Sequence, residues 1–293
     1  MSFNKKTIED VDVKNKLVLL RADYNVPIEN GHITSDLRIK QSLPTVKYLM
    51  EHGAKLVICS HLGRPKGPEK ASSLRPVADR LSKLLDKKIA FTESTVGDDV
   101  GKLKKDLKPG EALMIENVRF YSGETDNNAQ FAKNLAEGID VFVQDGFGVV
   151  HRAHASTEAV PKLIKHRVAG FLLEKEVTKI NLAMKNPQKP LVAMIGGAKV
   201  SDKIELIDKF IEIADVVLIG GAMGNTFLKA NGYDVGKSLY EPDMIGEAKR
   251  IMDKAHARVD SGDFLFYLPQ DAVVSAKMDS RTTTRIVDWS AHA

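Results

Sequence analysis

One cysteine, Cys59, is found in 293 residues. A disulfide framework within the chain is therefore excluded, and a reducing compartment is the natural setting. The thiol sits in the apolar run Lys55-Leu-Val-Ile-Cys59, where it reads as a small buried hydrophobe on a strand. No segment approaches the ~18 apolar residues of a membrane-spanning helix. The start, Met-Ser-Phe-Asn-Lys-Lys, lacks the apolar stretch of a signal peptide. The expectation is a cytoplasmic protein with no membrane partner. Blocks of five or six like charges are also missing, and 43 Lys and Arg against 39 Asp and Glu leave a formal charge of only +4. That balance gives no reason to expect nucleic acid as a partner. It suits a protein that gathers positive charge in one cleft for an anionic substrate. Internal repeats and low-complexity segments are absent too.

What is present is alternation. Short apolar runs at Leu17–Leu20, Leu56–Cys59, Ala112–Ile115, Val141–Val143, Leu191–Ile195, Val216–Ile219 and Phe264–Leu268 read as buried strands. Between them, Leu43–Glu51, Val77–Leu85, Asn128–Glu137, Ile204–Ile213 and Met244–Ala257 carry helical patterns. Strand–helix alternation predicts parallel sheets with helices on both faces. The length suggests two domains. A helix from Leu172 to about Lys185, stopped by Asn186-Pro187, reads as their joint. The boundaries expected are 1–169 and 170–293.

Ligands of open α/β sheets bind beyond the carboxyl ends of the strands. Here four strands of the first half lead into polar and basic residues: Arg21-Ala-Asp23-Tyr-Asn25-Val-Pro27, Ser60-His61-Leu-Gly63-Arg64-Pro65, Glu116-Asn117-Val-Arg119-Phe120, and Gln144-Asp145-Gly-Phe-Gly148 followed by His151-Arg152-Ala-His154. If the strands are parallel, Arg38, His61, Arg64, Arg119, His151, Arg152 and His154 surround one surface, with Asp23 and Asn25 among them. Any one arginine equally fits a solvated surface or a salt bridge. The set, placed just after strands, points to an anion site, because the planar guanidinium fork matches phosphate and carboxylate oxygens. In the second half, Met194-Ile-Gly196-Gly197-Ala-Lys199-Val-Ser201-Asp-Lys203 reads as strand, glycine turn and helix start. Gly220-Gly221-Ala-Met-Gly224 repeats that arrangement. Such loops bring backbone N–H groups to a phosphate, and Lys199 and Lys203, four apart, are expected on one helix face. Each loop also fits the close packing of a helix on a sheet. Neither is a Walker A loop or a full dinucleotide fingerprint.

These segments closely resemble phosphoglycerate kinase. The resemblance rests on Arg21-Ala-Asp-Tyr-Asn-Val-Pro27, Ser60-His-Leu-Gly-Arg-Pro-Lys-Gly67, Glu116-Asn-Val-Arg-Phe120, His151-Arg-Ala-His-Ala-Ser156, Gly196-Gly-Ala-Lys-Val-Ser-Asp-Lys203 and Gly220-Gly-Ala-Met223, in the family's order and spacing. It implies an α/β fold of two doubly wound, Rossmann-like parallel-sheet domains joined by a hinge helix. It also implies reversible phosphoryl transfer from 1,3-bisphosphoglycerate to Mg-ADP, a glycolytic step giving 3-phosphoglycerate and ATP, by a monomer. Carried over residue by residue, Asp23, Asn25, Arg38, His61, Arg64, Arg119 and Arg152 match the triose-phosphate site. Gly197, Lys199, Lys203 and Gly221 match the nucleotide side, and Arg38 and Lys199 would flank the group in flight on closure of the domains.

The chain departs from the family in places. Gln144-Asp-Gly-Phe-Gly-Val149 stands where the family has Asn-Asp-Ala-Phe-Gly-Thr, and Ala22 and Tyr24 replace Val and Phe. After Thr284-Arg-Ile-Val-Asp288 the family continues through Trp-Asn-Gly-Pro and Gly-Gly-Gly-Asp segments to a last helix, and these are not in this sequence. The resemblance then implies an incomplete second domain with exposed apolar surface, Mg²⁺ bound with ADP or ATP but no metal ligand assigned here, and little turnover by these residues alone. An alternative is a chain that binds triose phosphate or a partner and transfers nothing. A nucleotide-binding oxidoreductase of the same fold class is disfavoured by the missing fingerprint.

Overall fold

The structure, a computed structural model, describes residues 3–260, 262–277, 279 and 282–289. The chain divides into two compact units, Met1–Ile180 and Asn181–Ala293.

The first unit is built on strands β1 (Leu17–Arg21), β4 (Lys55–Cys59), β5 (Ile89–Phe91), β6 (Ala112–Met114), β7 (Val141–Gln144) and β8 (His166–Ala169), with a two-stranded hairpin, β2 (Ile28–Glu29) and β3 (His32–Ile33), beside them. The sheet is wholly parallel, in the order β5-β6-β4-β1-β7-β8. The chain works outward from β1 on one side through β4, and on the other through β7. This reversal opens a crevice at the carboxyl end of β1. Helices α1 (Leu37–Glu51), α2 (Arg75–Leu85), α3 (Asp98–Asp106), α4 (Ser122–Thr125), α5 (Ala129–Ala136), α6 (Val160–Leu163) and the start of α7 (Phe171–Lys185) accompany it.

Both faces of the sheet are covered, which is why its central strands read as unbroken apolar runs. Val18, Leu20, Leu56 and Ile58 point into one core with Ile39, Val46 and Leu49 of α1 and Leu81 of α2. Leu19, Val57 and Cys59 point into the other, with Val100 of α3 and Phe131 and Leu135 of α5. Burial pushes the Cys59 thiol up to about 12. Tyr24 is fully buried in the first core, and its hydroxyl finds Ser42 Oγ at 2.8 Å.

Two expectations need correction. The first sheet has six strands rather than four, because β5 is only three residues long and β8 opens on His166-Arg167. Both are edge strands whose period is too short or too polar to stand out. Helix α1 starts at Leu37 rather than Leu43 and carries Pro44 in its interior. Proline reads as a helix start, yet tertiary packing extends the helix a turn and a half further, and so places Arg38 on its first turn.

The second unit has the parallel strands β9 (Val192–Gly196), β10 (Val216–Gly220) and β11 (Leu265–Tyr267) in the order β11-β10-β9, with helices α8 (Ile204–Ile213), α9 (Ala222–Ala230) and α10 (Ile245–Val259). Ala193, Ile195, Val217 and Ile219 share one core with Ile207, Ile211, Phe227 and Ile251 from the three helices. The alternate residues of the same strands are open: Met194 is 81% exposed and Val192, Leu265 and Tyr267 about half so. The apolar surface expected on the second sheet is therefore present. Strands β12 (Asp271–Ser275) and β13 (Thr284–Asp288) pair with each other as an antiparallel ladder. Among the described residues no helix is long and apolar enough to cross a membrane.

Candidate active site

In the first unit the loops after β1, β4, β6 and β7 meet at the carboxyl edge, as their motifs predict. Arg38, from α1, reaches the Asp23 carboxylate after β1 in an ion pair. Gly148, after β7, is what lets that pair sit there: a Cβ on it would come within 2.6 Å of Asp23 Oδ2. Asn25 Oδ1 accepts the Gly63 N–H at 2.8 Å, and Arg119 Nη1 donates to the Gly63 carbonyl at 2.6 Å. Gly63 has φ +64°, a conformation glycine adopts without strain. The β1, β4 and β6 loops are thus tied together through one glycine. Arg64, Lys66, Arg119, Arg152 and His154 line a cleft of about 540 Å³ with Ser122 and Thr125. Arg119 Nε and Arg152 Nε are buried without a hydrogen-bond partner.

His61 is buried beside this cluster. Burial first, then the charges of Arg21, Arg119, Arg152 and Arg38, push its imidazole down to about 2. It is neutral at physiological pH and serves as a hydrogen-bonding group. Arg21 Nη2 lies 3.5 Å from His61 Nδ1. Arginine can only donate, so Nδ1 is the acceptor and the ring proton belongs on Nε2. Burial, with Arg119, Arg152 and Arg21 nearby, likewise lowers His154 against the opposing pull of Glu124. Desolvation and the like charges of Arg152, Arg21 and Arg64 even lower Arg119. A cation that is destabilised by other cations is stabilised by an incoming anion.

Sequence reasoning did not single out the foundation of this cluster. Arg21 is fully buried at the end of β1, where its Nε donates to Ser156 Oγ at 2.6 Å and its Nη2 lies 3.8 Å from Glu124 Oε1. Glu124, also fully buried, accepts from Ser156 N at 2.8 Å and Ser156 Oγ at 2.6 Å. This buried ion pair, neutral as a whole, lies beneath the cleft. A charged residue closing an otherwise apolar strand, as in Leu-Val-Leu-Leu-Arg21, was the available signal for Arg21. Glu124 had none, since it lies in the polar stretch Ser-Gly-Glu-Thr.

In the second unit Gly197, Lys203 and Gly221 come together around two touching glycine turns, and Lys199 follows Gly197 by two residues, near Glu241. Gly221 has φ +67°, and a Cβ on it would stand 2.9 Å from both N and O of Gly197. Met223 N donates to Gly197 O at 2.9 Å. The Lys203 stem runs past Gly197, its Cε 3.0 Å from where a Cβ would be. The lysines are not on one helix face as the spacing suggests. Helix α8 begins only at Ile204, and Lys203 N closes a turn onto Val200 O at 2.9 Å. That turn is held by Glu241, whose carboxylate accepts from Val200 N, Ser201 N and Ser201 Oγ. Within this turn the N–H groups of Val200, Ser201 and Lys203 are satisfied by the protein itself.

Comparison with known proteins extends over both units. Residues 8–292 match the family model for phosphoglycerate kinase. A phosphoglycerate kinase of Clostridium botulinum strain Hall is 46% identical over 291 residues, covering 98% of this chain and 72% of its own length. Another, from strain 657, is 47% identical over 282 residues, 95% of this chain and 70% of its own. Among solved structures, phosphoglycerate kinase from Coxiella burnetii aligns over 98% of this chain and 72% of its own, with 40% identity and a TM-score of 0.76. Phosphoglycerate kinase from Pyrococcus horikoshii OT3 aligns over 97% and 71%, with 32% identity and a TM-score of 0.82. A match of this length and identity, over a parallel-sheet scaffold carrying the arginine cluster and the paired glycine turns, settles the family: this chain belongs to the phosphoglycerate kinases.

Proposed function

We propose that the chain performs reversible phosphoryl transfer from 1,3-bisphosphoglycerate to ADP, giving 3-phosphoglycerate and ATP. The observation that carries this reading is the cluster of Arg38, Arg64, Arg119 and Arg152 around a neutral His61 at one sheet edge. Four fixed cations and an uncharged donor suit a small molecule with a phosphate and a carboxylate. In this reading residues 1–169 are the triose-phosphate domain and 170–293 the nucleotide domain. Asp23 holds Arg38 in place, and Asn25 fixes the Gly63 turn. Gly197, Lys203 and Gly221 form the nucleotide side, and Arg38 and Lys199 are the catalytic cations.

No general base is required. In the ATP-consuming direction the nucleophile is a carboxylate, ionised at neutral pH because its reference pKa is about 4. What remains is alignment and neutralisation of charge on the phosphoryl oxygens. Mg²⁺ belongs to the nucleotide substrate in this reading. The setting is cytoplasmic and the working form a monomer. Titration calorimetry with 3-phosphoglycerate should give saturable binding that weakens as salt is raised. Absence of heat at every concentration would remove the substrate assignment. ATP formed from 1,3-bisphosphoglycerate and Mg-ADP should be lower with Arg38→Ala than with the unmodified chain, and equal yields from the two would remove Arg38 from the catalytic set.

A further inference from the structure

Glu241 does more than fill a turn. Its backbone is extended (φ −105°, ψ 102°), as expected of a residue before proline, here Pro242. Its N–H donates to Thr226 Oγ1 at 3.1 Å, and Thr226 is fully buried on α9, the helix that follows the Gly220-Gly221 turn. Nearby, Asn225 Nδ2 donates to Leu239 O at 2.9 Å, a second tie between α9 and the segment that carries Glu241. Glu241 is thus fixed to the element behind one glycine turn while its side chain grips the segment behind the other. One carboxylate takes three donors: Oε2 accepts from Val200 N and Ser201 N, the latter at 3.2 Å, and Oε1 from Ser201 Oγ at 2.7 Å.

We infer that Glu241 is a positioning residue, which clamps the Val200–Lys203 turn and so sets where Lys199 and Lys203 present their ammonium groups to the phosphates of a nucleotide. The inference rests on the nucleotide reading above. Three donors on one acceptor group restrict the turn on both sides of Ser201, between the two lysines. A flexible lysine gains phosphate affinity when its backbone no longer has to be ordered on binding. Burial acts to raise the Glu241 carboxyl, but the hydrogen bonds from Ser201 and Val200 and the charge of Lys199 hold it below its ordinary value, so the clamp is ionised at neutral pH. The clamp occupies the Val200 and Ser201 N–H groups, so those two donors are not offered to a phosphate.

The test is Mg-ADP titration of the full chain and of Glu241→Ala, Glu241→Gln and Lys199→Ala. Glu241→Ala should bind on the order of tenfold more weakly, as for loss of charge-assisted hydrogen bonds. Glu241→Gln should be intermediate, because its amide has one acceptor oxygen where the carboxylate uses two. In the double variant with Lys199→Ala the losses should not add, since the clamp acts through that lysine. A role in fold stability alone would lower the melting temperature and leave affinity per folded molecule unchanged, and that result overturns the inference. Tighter binding by Glu241→Ala also overturns it, by showing that the carboxylate competes with phosphate for the turn. If Glu241→Ala does not fold, wild-type affinity in Glu241→Gln overturns it instead. Failure of the unmodified chain to bind Mg-ADP removes the nucleotide reading itself, and this inference with it.

Discussion

Asp145 Oδ1 accepts the backbone N–H of Leu172 at 2.9 Å, 27 residues along the chain. The same oxygen takes Leu173 N at 3.3 Å, while Thr45 Oγ1 takes Phe171 N at 3.0 Å. The orphan donors at the start of α7 are therefore capped by two distant elements of the first unit. Gly170 allows it, for a Cβ there would lie 2.3 Å from Asp145 Oδ1. The other oxygen, Oδ2, is buried without a hydrogen-bond partner.

That arrangement has a pH signature. Burial pushes the Asp145 carboxyl up to about 7, against the hydrogen bonds from Thr45, Leu173 and Leu172. A carboxyl raised on folding is protonated in the folded state while ionised in the unfolded one, between about 4 and 7. Its contribution is most favourable below the unfolded value and is lost as pH rises through the folded value. Asp145→Asn, which keeps an acceptor oxygen but cannot ionise, should gain on the wild type by up to about 1.4 kcal/mol per pH unit across that window. Denaturant titrations at several pH values check this, and parallel profiles for the two proteins would contradict it.

His61 should not titrate in the physiological range. With the imidazole held near 2 by burial and four arginines, its ring carbon and nitrogen shifts should stay flat from pH 5 to 8 in ~1 unit steps. An NMR midpoint near the ordinary histidine value would show that the cluster is more solvated than the structure has it.

Removal of single cations should separate the triose-phosphate site from its support. Arg64→Ala should weaken 3-phosphoglycerate by roughly 1.5–3 kcal/mol and reduce its salt dependence, as expected for one charge-assisted contact. Thermal stability should change little, since Arg64 is exposed. Arg21→Ala should instead cost fold stability by about 3–5 kcal/mol, because Glu124 is left buried and unpaired. Calorimetry and melting curves on both variants distinguish the roles. Equal effects on stability would contradict the division.

Gly221→Ala should destabilise the second unit by at least about 2 kcal/mol, combining a left-handed backbone with a clash against Gly197. Denaturation followed at Tyr233 or Tyr240, each replaced in turn to assign its signal, would check it. A change inside about 0.5 kcal/mol would mean that the two turns separate easily.

Hydrogen exchange should reveal the one-sided sheet. Amides of β1 and β4, covered on both faces, should outlast those of β9 and β11, whose outer face carries exposed Met194 and Leu265. Equal protection in the two sheets would contradict this.

Much of this was readable from residue order. The four central strands, the helices behind them and the basic residues at strand ends follow from apolar runs closed by polar motifs, because a doubly covered parallel strand has nowhere to put a polar side chain before its end. The short edge strands escaped because three residues such as Ile89-Ala-Phe91 show no period. The Asp23–Arg38 pair, the Gly63 tie and the Glu241 clamp escaped for a different reason. Each joins residues well separated in the chain, and only the folded sheet brings them within hydrogen-bonding distance. Lys199 and Lys203 have helical spacing, yet a turn held from 40 residues away decides their geometry.

Cys59 closes β4 in the heart of the first sheet, without accessible surface and with its thiol pushed up to about 12. A sulfur that is neither exposed nor ionised is silent towards alkylating reagents while the sheet is intact, and becomes reactive when it opens. The chain thus carries its own single-site probe: the rate at which an excess of thiol reagent consumes Cys59 measures how often the central sheet comes apart, with no engineered label. Conversely, a cysteine introduced on the surface can carry a dye or spin label in the otherwise native chain, since the resident thiol does not compete for it.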